Sequence, residues 1–286
     1  MKRFRIGGVP EHFNLPWKIA IEKGVFEDLK IDLHWTDMPG GTGQMIRGLK
    51  AGSIDIAVLL TEGITKAIME GLPAEIVSVY VQSPLTWGIH TPTGAIKELR
   101  ELEGSTFAIS RESSGSHLMS YVLAANECWT APIDFEVVGD VYGGLWALEN
   151  GKAKGFLWER FTTQPFVDLG KCERIGEVKT PWASFVIAAR KDVLEKDSDI
   201  VKLMIQKVLE VARDFKNRSV PPGNDPQSSS WSATEISWRY GLDVKQAQMW
   251  LDQTHWAEKA EGLSIDELSV VNNTLLSLGL VNTNQN

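Results

Sequence analysis

Polar residues and glycines lie in a series of turns, each of which directly follows a short apolar run. The turns are at 12–14, 40–42, 61–62, 113–117 and 142–144, and Trp158-Glu159 ends a further apolar run. Free backbone N–H groups at the start of a helix favour an anion or a strongly polar acceptor. The carboxylates of Glu62 and Glu159 would instead receive a hydrogen-bond donor. Together the turns predict a binding site for a small polar molecule.

No catalytic or phosphate-binding motif accompanies these turns. The glycines at 7–8 and at 40–41 match neither a dinucleotide fingerprint nor a P-loop, because no Gly-Lys-Ser/Thr follows them. The five histidines lack metal-ligand spacing, and the chain has no G-x-S-x-G elbow. Ser116 and His117 are adjacent, so their side chains diverge and would not form a nucleophile–base pair. We therefore expect no catalytic residues and no metal site.

Strands and helices alternate over the first 82 residues, which predicts a mostly parallel sheet. Three strand–turn–helix units precede a fourth strand at 76–81. Helices are predicted at 15–23, 42–51 and 64–69. In an open α/β sheet, ligands bind outside the carboxyl ends of the strands. The turns at 12–14, 40–42 and 61–62 fall at that edge, so the sheet would bring them together.

A second α/β block begins after the Pro- and Gly-containing segment 91–95. We predict a short helix at 96–102 and strands at 105–110, 135–138 and 155–158, with helices at 117–125 and 144–148 between them. Phe185–Arg190 is predicted as a return strand into the first block. The remainder is predicted to be helical at 200–215, 234–240, 244–255 and 265–278, with a loop at 217–230 and a capping box of Ser264 and Glu267.

Composition indicates a globular protein without a nucleic-acid surface. The chain has 286 residues, 43% of them hydrophobic, and a formal net charge of −8 without any Lys/Arg-rich run. No apolar stretch is long enough to span a membrane. Cys128 and Cys172 are expected to be free thiols. Since no apolar segment precedes a cleavage site, we expect a cytoplasmic protein, or a periplasmic one if a signal peptide has been removed.

Longer segments resemble the type II periplasmic binding proteins of ABC importers, most closely the nitrate/sulfonate/taurine-binding and thiamine-pyrimidine-precursor branch. The segments are PWKIAIEKGVFEDLKIDLHW (16–35), GGTGQMIRGLKAGSIDIAV (40–58), LRELEGSTFAISRESSGSH (99–117), YGGLWALENGKAKGFLWE (142–159) and ATEISWRYGLDVKQAQMWL (233–251). The resemblance implies an α/β fold of two lobes with a ligand cleft between them. Lobe I would comprise 1–86 plus 186–286 with its helical tail, and lobe II would comprise 87–185. Lacking a signal peptide and a lipobox cysteine, the chain looks like an intracellular member.

The same resemblance implies a solute-binding protein that takes a small polar or anionic organic ligand by hinge closure near 83–90 and 182–190. His12 and the threonine and serine hydroxyls would form hydrogen bonds with polar groups of the ligand, and Gly41 and Gly115 would donate from their backbone N–H groups. The two glutamates would accept hydrogen bonds from an amine or amidine, and the tryptophans would form an aromatic wall. The expected ligand contacts are His12, Gly41, Thr42, Thr61, Glu62, Trp87, Ser113, Gly115, Ser116, Tyr142, Trp158, Glu159 and Trp182. We expect no cofactor, no nucleic-acid partner and no membrane insertion, and we leave a transporter partner open.

Two other functions are kept as alternatives. A pyridoxal-phosphate-dependent enzyme related to thiamine pyrimidine precursor synthesis would need a Schiff-base lysine, and Lys18, Lys50 and Lys66 lie nearest the turns. The chain lacks the Cys-rich motif of such synthases. A partner-binding scaffold or sensor would expose a large apolar patch. Individual site residues also have purely structural explanations, Ser113 and Ser116 as helix caps and both glutamates as solvated carboxylates.

Overall fold

A computed structural model describes residues 1–112, 114–219 and 230–281. The chain forms two compact units. The first contains Met1–Ser83, Trp182–Asn273 and Val281, and the second contains Pro84–Pro181 and Thr274–Leu280. Across the described ranges, no helix combines the length and the apolar character needed to cross a membrane.

Ten strands and ten helices are named here in chain order. The strands are β1 (Lys2–Gly8), β2 (Ile31–Asp37), β3 (Ile56–Leu60), β4 (Ala74–Val81), β5 (Thr86–Thr91), β6 (Thr106–Ile109), β7 (Asp134–Val137), β8 (Gly155–Glu159), β9 (Glu173–Lys179) and β10 (Phe185–Arg190). The helices are α1 (Leu15–Glu22), α2 (Gly41–Ala51), α3 (Thr61–Met69), α4 (Gly115–Asn126), α5 (Val141–Glu149), α6 (Arg160–Asp168), α7 (Lys191–Asn217), α8 (Trp231–Tyr240), α9 (Val244–Gln253) and α10 (Ile265–Ser277).

Each unit is built on one five-stranded sheet, and the two sheets share one topology. The first sheet has the order β2-β1-β3-β10-β4 and the second has the order β7-β6-β8-β5-β9. The first three strands of each sheet are parallel, the fourth is antiparallel to its neighbours, and the fifth restores the parallel direction. The third strand of one sheet, β3, therefore corresponds to β8 in the other.

The central strands of the first sheet are almost continuously apolar because both of their faces are covered. Every residue of β3 is buried, and β10 is buried from Phe185 to Ala189. Strands that are buried on both faces of an α/β sheet show this uninterrupted pattern instead of an alternating one. The polar turn at 61–62 follows β3 directly, so a rigid strand holds it in place.

The second unit differs from the prediction in four elements. Residues 86–91 form the fully buried strand β5, where the sequence analysis placed a hinge segment. Strand β9 and helix α6 were not predicted at all. The predicted helix at 96–102 is a single 3-10 turn at Leu99–Leu102, which a capping box between Glu98 and Glu101 stabilises.

The helical segments after β10 follow the prediction more closely. The predicted apolar stripe of α7 is buried along its length, from Val201 to Phe215, although the helix begins earlier and is kinked at Asp197. The capping box before α10 is confirmed, since Ser264 N–H donates to the Glu267 carboxylate and Glu267 N–H donates to Ser264 Oγ. Most of the predicted loop at 217–230 lies outside the described residues.

Candidate functional site

Glu62 is a buried carboxyl group in the first turn of α3, directly beyond the carboxyl end of β3. Glu62 is only 1% exposed to solvent. Trp182 Nε1 donates a hydrogen bond of 2.8 Å to Glu62 Oε2, whereas Oε1 has no hydrogen-bond partner within the described part of the chain. One carboxylate oxygen of Glu62 is therefore held by an indole N–H, and the other is a buried acceptor without a partner in the described residues.

Burial determines the charge of Glu62. It raises the pKa of Glu62 to about 7, although the bonds from its own backbone N–H and from the Trp182 indole act in the opposite direction. The group therefore changes its charge close to neutral pH. A buried carboxyl group with such a pKa is typical of sites that bind or transfer charged groups, although purely structural groups are also perturbed.

Close packing between α2 and α3 fixes the position of Glu62. Leu60 N–H donates to Thr42 Oγ1 at 3.3 Å, which ties the end of β3 to the first turn of α2. Position 63 favours glycine, because an added Cβ would overlap the Cγ2 methyl of Thr42. With Thr42 in its present position, glycine at 63 is what allows the two helix N-termini to lie this close together.

The segment before β10 is fastened to the same turn. Thr61 Oγ1 donates to the carbonyl of Ala183, and Thr61 N–H donates to the carbonyl of Ser184 at 3.2 Å. These two bonds hold the backbone next to Trp182 and so bring its indole to Glu62. The structure thus groups Thr42, Thr61, Glu62 and Trp182 in the first unit. Gly41 opens the same helix as Thr42 and has a positive φ of 62°, which favours glycine.

The turn after β1 places His12 in an aromatic cluster. The His12 ring lies 5.0 Å from Phe13, 5.9 Å from Tyr240 and 4.4 Å from Trp250, measured between ring centroids. Burial lowers the pKa of His12 to about 3, so the imidazole is neutral at physiological pH. The sequence analysis identified His12 and did not foresee its partners, which come from α8 and α9. Its role as a ligand contact stays a prediction.

In the second unit, a serine cluster forms the turn between β6 and α4. Ser114 Oγ accepts from His117 N–H at 3.4 Å and caps the helix, so the cap is Ser114 and not Ser116. Ser116 Oγ accepts from Ser110 N–H at 3.0 Å and lies 3.0 Å from Ser114 Oγ. Gly115 is the first residue of α4. Ser113 lies outside the described residues.

Glu159 ends β8, the counterpart of β3, and is buried like Glu62. Its Oε2 accepts from the backbone N–H of Thr162 at 2.6 Å and from Thr162 Oγ1 at 2.8 Å. Glu159 is thus the N-cap of α6. Burial raises the pKa of Glu159, and the bonds from Thr162 and from the Phe161 backbone oppose that rise.

The predicted aromatic residues of the second unit have different environments. The register of β5 on β8 pairs Trp87 with Glu159 and the adjacent Gly88 with Trp158, so these residues are neighbours in the sheet. Trp87 is buried, and its Nε1 has no hydrogen-bond partner in the described ranges. Tyr142, in contrast, is 68% exposed.

No group of three or more His, Cys, Asp and Glu side chains among the described residues could hold a metal ion. The arrangement instead offers hydrogen-bonding groups at the carboxyl ends of strands in both sheets. Such groups can bind and orient a polar molecule.

Comparison with known proteins supports the assignment of the fold. Residues 87–178 match the family model described as Ca3427-like PBP. The Candida albicans CA3427 gene product, described as having the generic periplasmic binding protein fold, has a similar structure. The TM-score is 0.89 at 24% identity, and the alignment covers 100% of this chain and 92% of that chain.

Two sulfonate-binding proteins have similar structures. The alkanesulfonate-binding protein SsuA from Xanthomonas axonopodis pv. citri, bound to MOPS, has a TM-score of 0.79 at 14% identity, covering 99% of this chain and 95% of that chain. The aliphatic sulphonate-binding protein SsuA from Escherichia coli has a TM-score of 0.68 at 15% identity, covering 98% and 89%. No curated protein sequence matches the chain. These similarities show that the chain has the fold of the periplasmic binding proteins.

Proposed function

We propose that the protein is a solute-binding protein that takes a small polar or anionic organic molecule without transforming it. The observation that supports this most directly is the buried Glu62 beyond the carboxyl end of β3, which keeps one acceptor oxygen without a partner in the described chain. In α/β sheets, ligands bind beyond these strand ends. Proteins of this fold close around their ligands by a hinge motion, and we propose the same coupling here.

The similar structures support this ligand class without specifying the ligand. The Xanthomonas protein is described as bound to MOPS, a molecule with both a sulfonate and an amine. The hydroxyl of Thr42, in the first unit, would suit the acceptor end of such a molecule. Glu62 would suit its donor end. An ABC transporter as a partner is not required by this proposal.

The pyridoxal-phosphate enzyme remains an alternative that no observation favours. Two of the three lysines nearest the turns take part in ion pairs. Lys18 Nζ lies 3.1 Å from Asp37 Oδ2, and Lys66 pairs with Glu70 at the C-cap of α3. Forming a Schiff base with either lysine would require that pair to break. Incubation of the purified protein with pyridoxal phosphate tests this function, because an aldimine absorption band would support it.

Native mass spectrometry tests the solute-binding proposal. Protein purified without extensive dialysis should carry a stoichiometric small molecule that is released on denaturation. The same compound should raise the melting temperature when it is added back and should reduce the radius of gyration measured by small-angle scattering. The proposal fails if the protein is empty and if MOPS, taurine, nitrate and aminopyrimidines all leave its melting temperature unchanged.

A further inference from the structure

We infer that the ligand carries an N–H donor, either a protonated amine or an amidine, and that this donor binds Glu62 Oε1 while Trp182 holds Oε2. The inference rests on the proposed solute-binding function and narrows its ligand class. Glu62 is then the residue that favours ligands with an N–H donor over simple anions.

The first argument is the unmet acceptor. Glu62 Oε1 is buried and has no hydrogen-bond partner in the described chain, while the other oxygen accepts a bond of 2.8 Å. Buried polar atoms in native proteins almost always have a partner, because an unpaired one retains its full desolvation penalty. A ligand donor would remove that penalty and so gain affinity that a purely anionic ligand cannot gain.

The second argument is the fixed geometry of the carboxyl group. An indole N–H can only donate, so Trp182 selects an acceptor orientation of Oε2. Trp182 is itself held by its neighbours Ala183 and Ser184, whose carbonyls accept the Thr61 side-chain and backbone bonds. When Glu62 is ionised, the remaining oxygen is one oriented acceptor on a rigid support, which reduces the entropy that a ligand loses on binding.

The third argument is charge. Among the causes that shift the pKa of Glu62 there is no cationic side chain, and desolvation is the largest. The nearest lysine on α3, Lys66, pairs with Glu70. A cationic donor is the partner that stabilises a desolvated carboxylate most, whereas a sulfonate beside it would be repelled.

Acetamidine hydrochloride is the probe, with sodium methanesulfonate as the anionic counterpart and sodium chloride as the control for ionic strength. The variants are Glu62→Gln, which removes the charge and keeps the shape, and Glu70→Gln, which makes the same change at the C-cap of α3. In the wild type and in Glu70→Gln, about 50 mM acetamidine should raise the melting temperature by about 2–4 °C. The shift should be absent in Glu62→Gln, and methanesulfonate should not stabilise the wild type more than it stabilises Glu62→Gln.

A second variant keeps the test valid if Glu62→Gln does not fold. Glu62→Asp keeps the charge and withdraws the carboxylate by one methylene, and it should also lose most of the acetamidine shift. Circular dichroism checks that both variants fold. An acetamidine shift that is absent in the wild type, or equal in the wild type and Glu62→Gln, overturns the inference.

The outcome also separates this inference from the solute-binding proposal. If the released natural compound contains no N–H donor, or if methanesulfonate binds and acetamidine does not, the inference fails and solute binding stands. If no compound is released and neither probe nor the larger panel binds, the proposed function itself fails.

Discussion

Glu62 and Glu159 follow corresponding strands in two sheets of the same strand order, yet their carboxylates have different partners. Glu159 stands at the N-cap of α6, and its Oε2 accepts two bonds from Thr162, three residues on. Glu62 stands inside the first turn of α3, and its Oε2 accepts from Trp182, which is 120 residues away in the sequence. A carboxylate at the N-cap closes on its own helix. The carboxylate of Glu62 is held by a residue from a distant part of the chain, and its Oε1 has no partner among the described residues.

The hydroxyl groups of the two units differ in the same way. Thr61 bonds to Ala183, and Thr42 bonds to Leu60, so the turns of the first unit depend on tertiary contacts. Ser114 and Ser116 bond within the segment 110–117 and depend on local sequence. We therefore expect substitutions in the first unit to act through packing and charge. Those in the second unit should act through helix capping and turn geometry.

The largest expected effect is the response of Glu62→Gln to pH. The pKa of Glu62 is about 7 in the folded protein against an unperturbed 4.5, so folding favours the protonated form. The wild type then loses stability as the pH rises from about 4.5 through about 7, and Gln avoids this loss. Above pH 8 the variant should be more stable by about 3 kcal/mol, and near pH 4 the difference should vanish.

Urea unfolding of both proteins at acidic and alkaline pH measures this difference. Glu70→Gln, at the C-cap of the same helix and in an exposed ion pair, should change the free energy of unfolding by less than about 1 kcal/mol at either pH. An equal effect of Glu62→Gln at the two pH values would contradict burial as the cause of the raised pKa.

The next effect tests the packing of α2 against α3. Gly63→Ala should lower the free energy of unfolding by about 2 kcal/mol, because the new Cβ overlaps the Thr42 methyl. The double variant Gly63→Ala with Thr42→Ser removes that methyl and retains Oγ, so it should recover most of the loss. Denaturant unfolding of the four proteins gives a double-mutant cycle, and strictly additive losses would show that the two residues do not meet.

In the second unit, Glu159→Ala should cost about 1 kcal/mol because it removes the cap of α6. Glu159→Asp keeps a carboxylate at the N-cap and should cost less, as Asp is among the preferred capping residues. Thermal unfolding of the two variants measures the difference. If Ala and Asp are equally destabilising, the side chain of Glu159 does not act as a cap.

Much of this architecture could be predicted because strands, glycine-containing turns and helices alternate in the sequence. The strands β5 and β9 were not predicted, because they are defined by pairing with strands that are distant in the chain. Strand β9 also carries charged residues at Glu173, Arg174 and Glu177. Helix α6 contains Pro165, which argues against a helix in any local analysis.

The residues of the candidate site also differ in how far local sequence could predict their surroundings. Glu62 could be predicted from its place at a strand end, and the serine turn could be predicted from its local hydroxyls. The partner of Glu62 could not, since Trp182 reaches it only through the fold. For His12 the local sequence gave no sign that Tyr240 and Trp250 would enclose the ring. The hydroxyl of Ser114 caps α4, although local sequence alone does not distinguish it from its serine neighbours.

A final substitution, with an expected effect no larger than that of Glu159→Ala, tests whether the serine turn is locally determined. Ser116→Ala removes the oxygen that accepts from Ser110 N–H, and it should cost about 1 kcal/mol because that N–H is left buried. The loss should be confined to the turn, so hydrogen exchange of the Ser110 amide should accelerate while amides of β3 and α3 keep their protection. Faster exchange in α3 as well would mean that the two turns are coupled, and the contrast between a local turn and a tertiary one would then be wrong.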